Sequence, residues 1–127
     1  MTKKFKVVIW LQSNEEEKAL SHLLTESKYS CLTCQSKPEL ENLITLHHHS
    51  IGLLIIDCNL TGVNVLDLCV ELKQNHYLDA YLMVLGNLNE NNNEGVMYEH
   101  GVDFFIQRPL KPLLLSKRID ALLTRKS

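Results

Sequence analysis

The segment Ile51-Gly-Leu-Leu-Ile-Ile-Asp57 constrains the fold more than any other part of the chain. It is a nearly continuous apolar run that ends on a carboxylate. A strand with one wet face alternates polar and apolar residues, whereas a strand covered on both faces does not. Ile51 to Asp57 therefore reads as an inner strand of a sheet sandwiched between helices. The rest of the chain agrees with this. Phe5 to Leu11, Tyr29 to Cys34, Ala80 to Leu85 and Asp103 to Ile106 are further strand-like stretches. Between and after them come segments with apolar residues at helical spacing: Ala19, Leu20, Leu23 and Leu24, then Leu40, Leu43 and Ile44, then Val65, Leu68, Cys69 and Leu72, and last Leu115, Ile119 and Leu122. A short fourth helix is expected from Glu94 to His100, stopped by Gly101, and the third is expected to end near Asn75. Asn14 with Glu17, and Ser36 with Glu39, have the spacing of capping boxes. Pro38 falls in the first turn of the second helix, and Pro109 and Pro112 open the last one.

Strands that alternate with helices through short connections make parallel crossover units. The expected fold is an α/β doubly wound sheet of five parallel strands with helices on both faces. Functional residues in such sheets gather at the carboxyl ends of the strands, near the topological switch point. Here those positions are Leu11 to Asn14, Asp57 to Asn59, Gly86 to Leu88 and Gln107 to Pro109.

Composition narrows the function. A length of 127 residues suits one domain spanning 1–127, and 45% hydrophobic with 22% charged residues is a soluble globular composition. A net charge of −2 argues against a nucleic-acid footprint or an anionic-membrane binder. No apolar run has transmembrane length, and Met1-Thr-Lys-Lys-Phe5 lacks a signal peptide's hydrophobic region, so a cytoplasmic protein is expected. Cys31, Cys34, Cys58 and Cys69 are too few and scattered for a disulfide scaffold. Cys31-Leu-Thr-Cys34 has redox-motif spacing but lies in a strand, where residues three apart face opposite sides. Buried free thiols are expected instead. His47-His-His49 reads as a solvated helix terminus rather than a metal site, because consecutive helical residues diverge. No Gly-rich loop follows the first strand, so neither a P-loop nor a dinucleotide fingerprint is present; the same absence weakens a flavodoxin-type flavin binder, and no nucleophile elbow is present. Trp10, in mid-strand, reads as core.

Two stretches then carry a family resemblance. Leu53-Leu-Ile-Ile-Asp57-Cys-Asn-Leu-Thr-Gly-Val-Asn-Val-Leu-Asp-Leu-Cys-Val-Glu-Leu72 resembles, without a gap, the phosphoacceptor strand and following helix of response-regulator receiver domains, the CheY-like family. His100-Gly-Val-Asp-Phe-Phe-Ile-Gln-Arg108-Pro109-Leu110 resembles that family's final strand, which ends in Lys-Pro. The likeness runs over essentially the whole chain. It implies strand order 2-1-3-4-5 and a cis peptide before Pro109. Ile9-Trp10-Leu11 followed by Gln12-Ser13 also resembles the first strand of cyanobacterial clock-type pseudo-receivers.

Receiver chemistry needs an acceptor Asp, an acidic pair for Mg²⁺, a hydroxyl residue and a Lys for the phosphoryl oxygens, and an aromatic that reports the change. By the resemblance, Asp57 matches the acceptor, Asn59 the position whose carbonyl reaches the metal, and Phe105 the aromatic switch. The other parts are replaced. Leu11 and Gln12 stand at the acidic-pair positions, Gly86 replaces the hydroxyl residue, and Arg108 replaces the Lys. Mg²⁺ wants hard anionic oxygens, so no cofactor and weak or absent Mg²⁺ binding are expected. Glu15 to Glu17 are read as serving the helix dipole. Arg108 is expected to grip Asp57 bidentately across the crevice, for which its planar fork is suited.

The resulting expectation is a pseudo-receiver in two-component signal transduction: not an enzyme, but a phosphorylation-independent protein-interaction module. The alternative is a phosphoacceptor or phosphorelay receiver switched at Asp57 with little Mg²⁺ dependence. Expected partners are proteins such as a histidine kinase, with no direct nucleic-acid or membrane contact. A second copy is expected to dock on the face of the fourth helix, fifth strand and fifth helix, carrying Glu94, Glu99, His100, Asp103, Arg118 and Asp120. The Asn-rich stretch between Gly86 and Glu94 is expected to be the most mobile ordered part.

Overall fold

A computed structural model describes residues 3–74, 79–89 and 93–126. Ten elements alternate along it: β1 (Lys6–Trp10), α1 (Asn14–Glu26), β2 (Ser30–Thr33), α2 (Lys37–His47), β3 (Ile51–Asp57), α3 (Val65–Gln74), β4 (Tyr81–Gly86), α4 (Glu94–Glu99), β5 (Phe104–Gln107) and α5 (Pro112–Lys126). The strands form one sheet in the order β2-β1-β3-β4-β5, and every pairing is parallel. This is the expected topology. All seven residues of β3 are buried, as an inner strand covered on both faces requires.

Side-chain alternation divides the core into two layers. Val7, Ile9, Leu53, Ile55, Met83 and Leu85 pack against Leu20 and Leu24 of α1 and Leu115, Ile119 and Leu123 of α5. Val8, Trp10, Leu54, Ile56, Leu82 and Val84 pack on the other face against α2, α3 and α4 through Leu40, Ile44, Leu68, Cys69, Leu72 and Met97. Trp10 is core, as expected, although it closes β1 rather than lying in mid-strand. Cys31 and Cys34 fall in opposite layers, and both are free thiols.

Helix ends show details that the sequence reading did not resolve. The N-cap of α1 is Ser13, not Asn14: its hydroxyl accepts from the Glu16 N–H at 3.3 Å. At the other end of α1, Lys28 takes a left-handed φ of 74°, and Tyr29 N–H closes back on the Leu24 carbonyl at 3.0 Å. That is the Schellman pattern with Lys in the place glycine favours. The Ser36–Glu39 cap does form, although the Glu39 carboxylate accepts from Gln35 N–H rather than from Ser36. The peptide between Arg108 and Pro109 is cis, as the resemblance implied. Asn75 and residues 90–92 of the Asn-rich stretch lie outside the described residues.

Candidate functional site

Parallel order puts the carboxyl ends of β1, β3 and β5 at one end of the sheet, with the switch point between β1 and β3. Asp57 closes β3 there and is 2% exposed. Its carboxylate is saturated. Oδ1 accepts from Asn59 N–H at 2.9 Å and from Arg108 at 3.3 Å, while Oδ2 accepts from Gln12 N–H at 3.0 Å and from Arg108 at 2.8 Å. A carboxylate has about four lone-pair directions, so four donors leave no vacant one.

Arg108, one residue past β5, supplies the charge. Its backbone N–H donates to the Gly86 carbonyl at 2.9 Å, which fixes where the side chain starts. The guanidinium then lies between two carboxylates. One edge meets Asp57; the other edge, Nε and Nη2, meets both oxygens of Glu16 at 3.0 and 2.8 Å. The hydrogen bonds to Glu16, followed by those to Asp57, raise the already high pKa of Arg108 against the cost of burial. Asp57, Glu16 and Arg108 together carry a net charge of −1. No buried side-chain polar atom among the described residues lacks a hydrogen bond.

Glu16 is the residue that sequence reasoning missed. Glu15 to Glu17 all suit the helix dipole, yet the three have separate fates. Glu15 is exposed; Glu16 reaches Arg108, 92 positions away. Glu17 is 7% exposed, and burial pushes its carboxyl up, against a hydrogen bond with Thr33 and the charge of Lys18. Local explanations for a first-turn Glu were sufficient, so nothing in the spacing pointed across the chain.

The structure brings four of the expected residues to the crevice: Asp57, Gln12, Asn59 and Arg108. Gln12 also spans two loops, its Oε1 accepting from Thr61 N–H at 3.1 Å. Leu11 is buried in the α1/α5 core layer and offers no ligand atom. Phe105 is buried in the other core layer. Gly86 is not a vacant hydroxyl position: a Cβ there would overlap the Cys58 sulphur and lie 2.9 Å from the Cys58 Cβ. The Mg²⁺ that this fold family implies meets an unsuitable donor set. Both oxygens of Asp57 and of Glu16 are engaged with Arg108, and the amide oxygen of Gln12 is committed to Thr61.

Two residues of the expected dimer face have partners within the chain. Asp120 accepts from the Tyr29 hydroxyl at 2.6 Å and pairs with Lys3 at 3.6 Å, so it faces β2 and the N-terminal segment. Asp103 is tied to Lys73 at 2.6 Å and to Leu82 N–H at 2.7 Å. Arg118 lies where expected, beside an apolar groove of about 290 Å³ lined also by Met83, Phe104, Ile106, Leu122 and Arg125.

No protein-family model matches the sequence, and no curated protein matches it either. Solved structures do. The receiver domain of the TMAO respiratory response regulator TorR superposes with a TM-score of 0.83 at 22% identity, over 95% of this chain and 98% of its own. The chemotaxis response regulator CheY4 of Vibrio cholerae gives 0.81 at 15%, over 94% of this chain and 99% of its own. The fold is the receiver fold. A third receiver domain, from a signal transduction histidine kinase of Syntrophus aciditrophicus, gives 0.80 at 24% identity, over 94% and 90% of the two chains. Identities this low carry the receiver fold alone. What this chain does with that fold rests on its own crevice.

Proposed function

We propose that the chain is a cytoplasmic pseudo-receiver of two-component signalling that works as a protein-interaction module without a phosphorylation cycle. One observation carries this reading: every acceptor direction of Asp57 is filled by an internal donor. A nucleophile must present a free lone pair to phosphorus, and this one would first have to part from a guanidinium. The ion pair with Arg108 does for Asp57 what a metal does in a working receiver, and Mg²⁺ binding is therefore weak. The protein is not an enzyme on this reading. It presents one fixed conformation to protein partners such as a histidine kinase. The α4–β5–α5 face is where a second copy docks, with the groove beside Arg118 on its β5–α5 side.

Amide NMR tests this directly. Millimolar Mg²⁺ with beryllofluoride should leave the Asp57, Asn59 and Gln12 resonances in place. Saturable shifts clustered at those residues would instead identify a phosphoacceptor.

A further inference from the structure

The two edges of Arg108 are not equivalent. The edge toward Asp57 is sealed inside, since that carboxylate is 2% exposed, whereas the Glu16 side chain at the other edge is 28% exposed. Glu16 also makes the tighter fork, 3.0 and 2.8 Å against 3.3 and 2.8 Å for Asp57. An outward guanidinium edge with two parallel N–H donors is the geometry that recognises carboxylate and phosphate. The bond from Glu16 N–H to Ser13 anchors that backbone, so the carboxylate is held at the mouth of the crevice by the first turn of α1.

We propose that the outer edge of Arg108 is an oxyanion site whose resident ligand is Glu16. The inference rests on the pseudo-receiver reading, because it takes the inner edge as permanently occupied by Asp57. Glu16 acts as a built-in stopper and a positioning residue for Arg108. An external phosphate or carboxylate must displace a carboxylate already tethered at the fork, so the native crevice stays closed to free anions. The trio's net charge of −1 adds to the exclusion, since a second anion at the mouth meets repulsion that Arg108 has already spent its charge on. Removing the Glu16 carboxylate changes both terms together. It vacates the fork and brings the Arg108–Asp57 remainder to neutrality.

The probe is inorganic phosphate, which cannot phosphorylate Asp57, read through the side-chain Nε–H resonance of Arg108. In the native protein that resonance should stay fixed through tens of millimolar phosphate at constant ionic strength. In Glu16→Ala it should shift saturably, with at least tenfold tighter binding. Glu16→Gln, which keeps the shape and loses the charge, should fall between the two. Native protein that binds phosphate as tightly as Glu16→Ala would overturn the stopper. Failure of both Glu16 variants to bind, with their backbone spectra native-like, would overturn the site. Phosphorylation of native Asp57 by a reactive donor would refute the pseudo-receiver reading separately, since this titration involves no covalent step.

Discussion

Taking away the guanidinium of Arg108 would leave the Asp57 carboxylate buried beside two backbone N–H groups, without its ion-pair partner. Stranding a buried charge in this way costs several kcal/mol, so Arg108→Ala should lower unfolding free energy by about 3 kcal/mol. Glu16→Ala removes only the partly hydrated partner and should cost about 1 kcal/mol or less. Urea unfolding of the two variants should separate them clearly, and equal losses would mean that Glu16 is as deeply committed as Asp57. Glu17 offers a pH-dependent counterpart. Burial raises its pKa, so the folded state binds the proton more tightly than the unfolded state does. Its contribution is then fully favourable below about pH 4.5 and is lost as pH rises through the raised value. Glu17→Gln, which cannot ionise, should accordingly raise Tm at pH 7 by more than at pH 4. A gain that is the same at both pH values would contradict that assignment.

Between elements, the ends of β3 and β4 are matched by size. Cys58 follows β3, and its side chain occupies the space above Gly86 at the end of β4. Gly86→Ala should destabilise by about 1–3 kcal/mol through overpacking, and Cys58→Ala in the same chain should recover most of that loss. A double-mutant cycle on urea midpoints checks it. Cys34, just past β2, and Cys69 of α3 make a second element-scale case. Burial pushes Cys34 up to about 12 and Cys69 up to about 11, so neither presents thiolate near neutrality. Iodoacetamide at pH 7.5 should leave both unmodified for an hour in native protein and label all four cysteines in guanidinium. At this scale the sequence was legible. Ile51 to Asp57 matched β3 residue for residue because an inner strand cannot hide its apolar run. Boundaries set by caps were less so: Ser13, Asn14 and Glu17 all carry N-terminal chemistry, and only the folded backbone chooses among them. The Arg108–Asp57 pair could be anticipated because Asp57 closes β3 and Arg108 directly follows β5, at the same carboxyl end of the sheet. Glu16 could not, because its partner is fixed by tertiary placement alone.

For the molecule as a whole, parallel topology points the helices the same way, and acidic first turns collect where the strands end. Glu15 to Glu17 of α1, Glu39 of α2, Asp67 of α3 and Glu94 of α4 all begin helices at the crevice end. These carboxylates suit the helix dipoles, but they also put negative charge at the same end of the sheet as the crevice. A phosphoryl donor is an anion, so the same arrangement that stabilises the helices discourages its approach. Arg108 is the cation at the centre, and it is already shared between two carboxylates. If Asp57 serves only as its structural partner, Asp57→Asn should leave partner binding unchanged, within twofold by calorimetry. The most direct test is to incubate native protein with acetyl phosphate and Mg²⁺ and to measure its intact mass. An unchanged mass, alike for native protein and Asp57→Asn, is the predicted result. A stable gain of one phosphoryl group on the native chain that Asp57→Asn abolishes would make Asp57 a working acceptor and contradict the account.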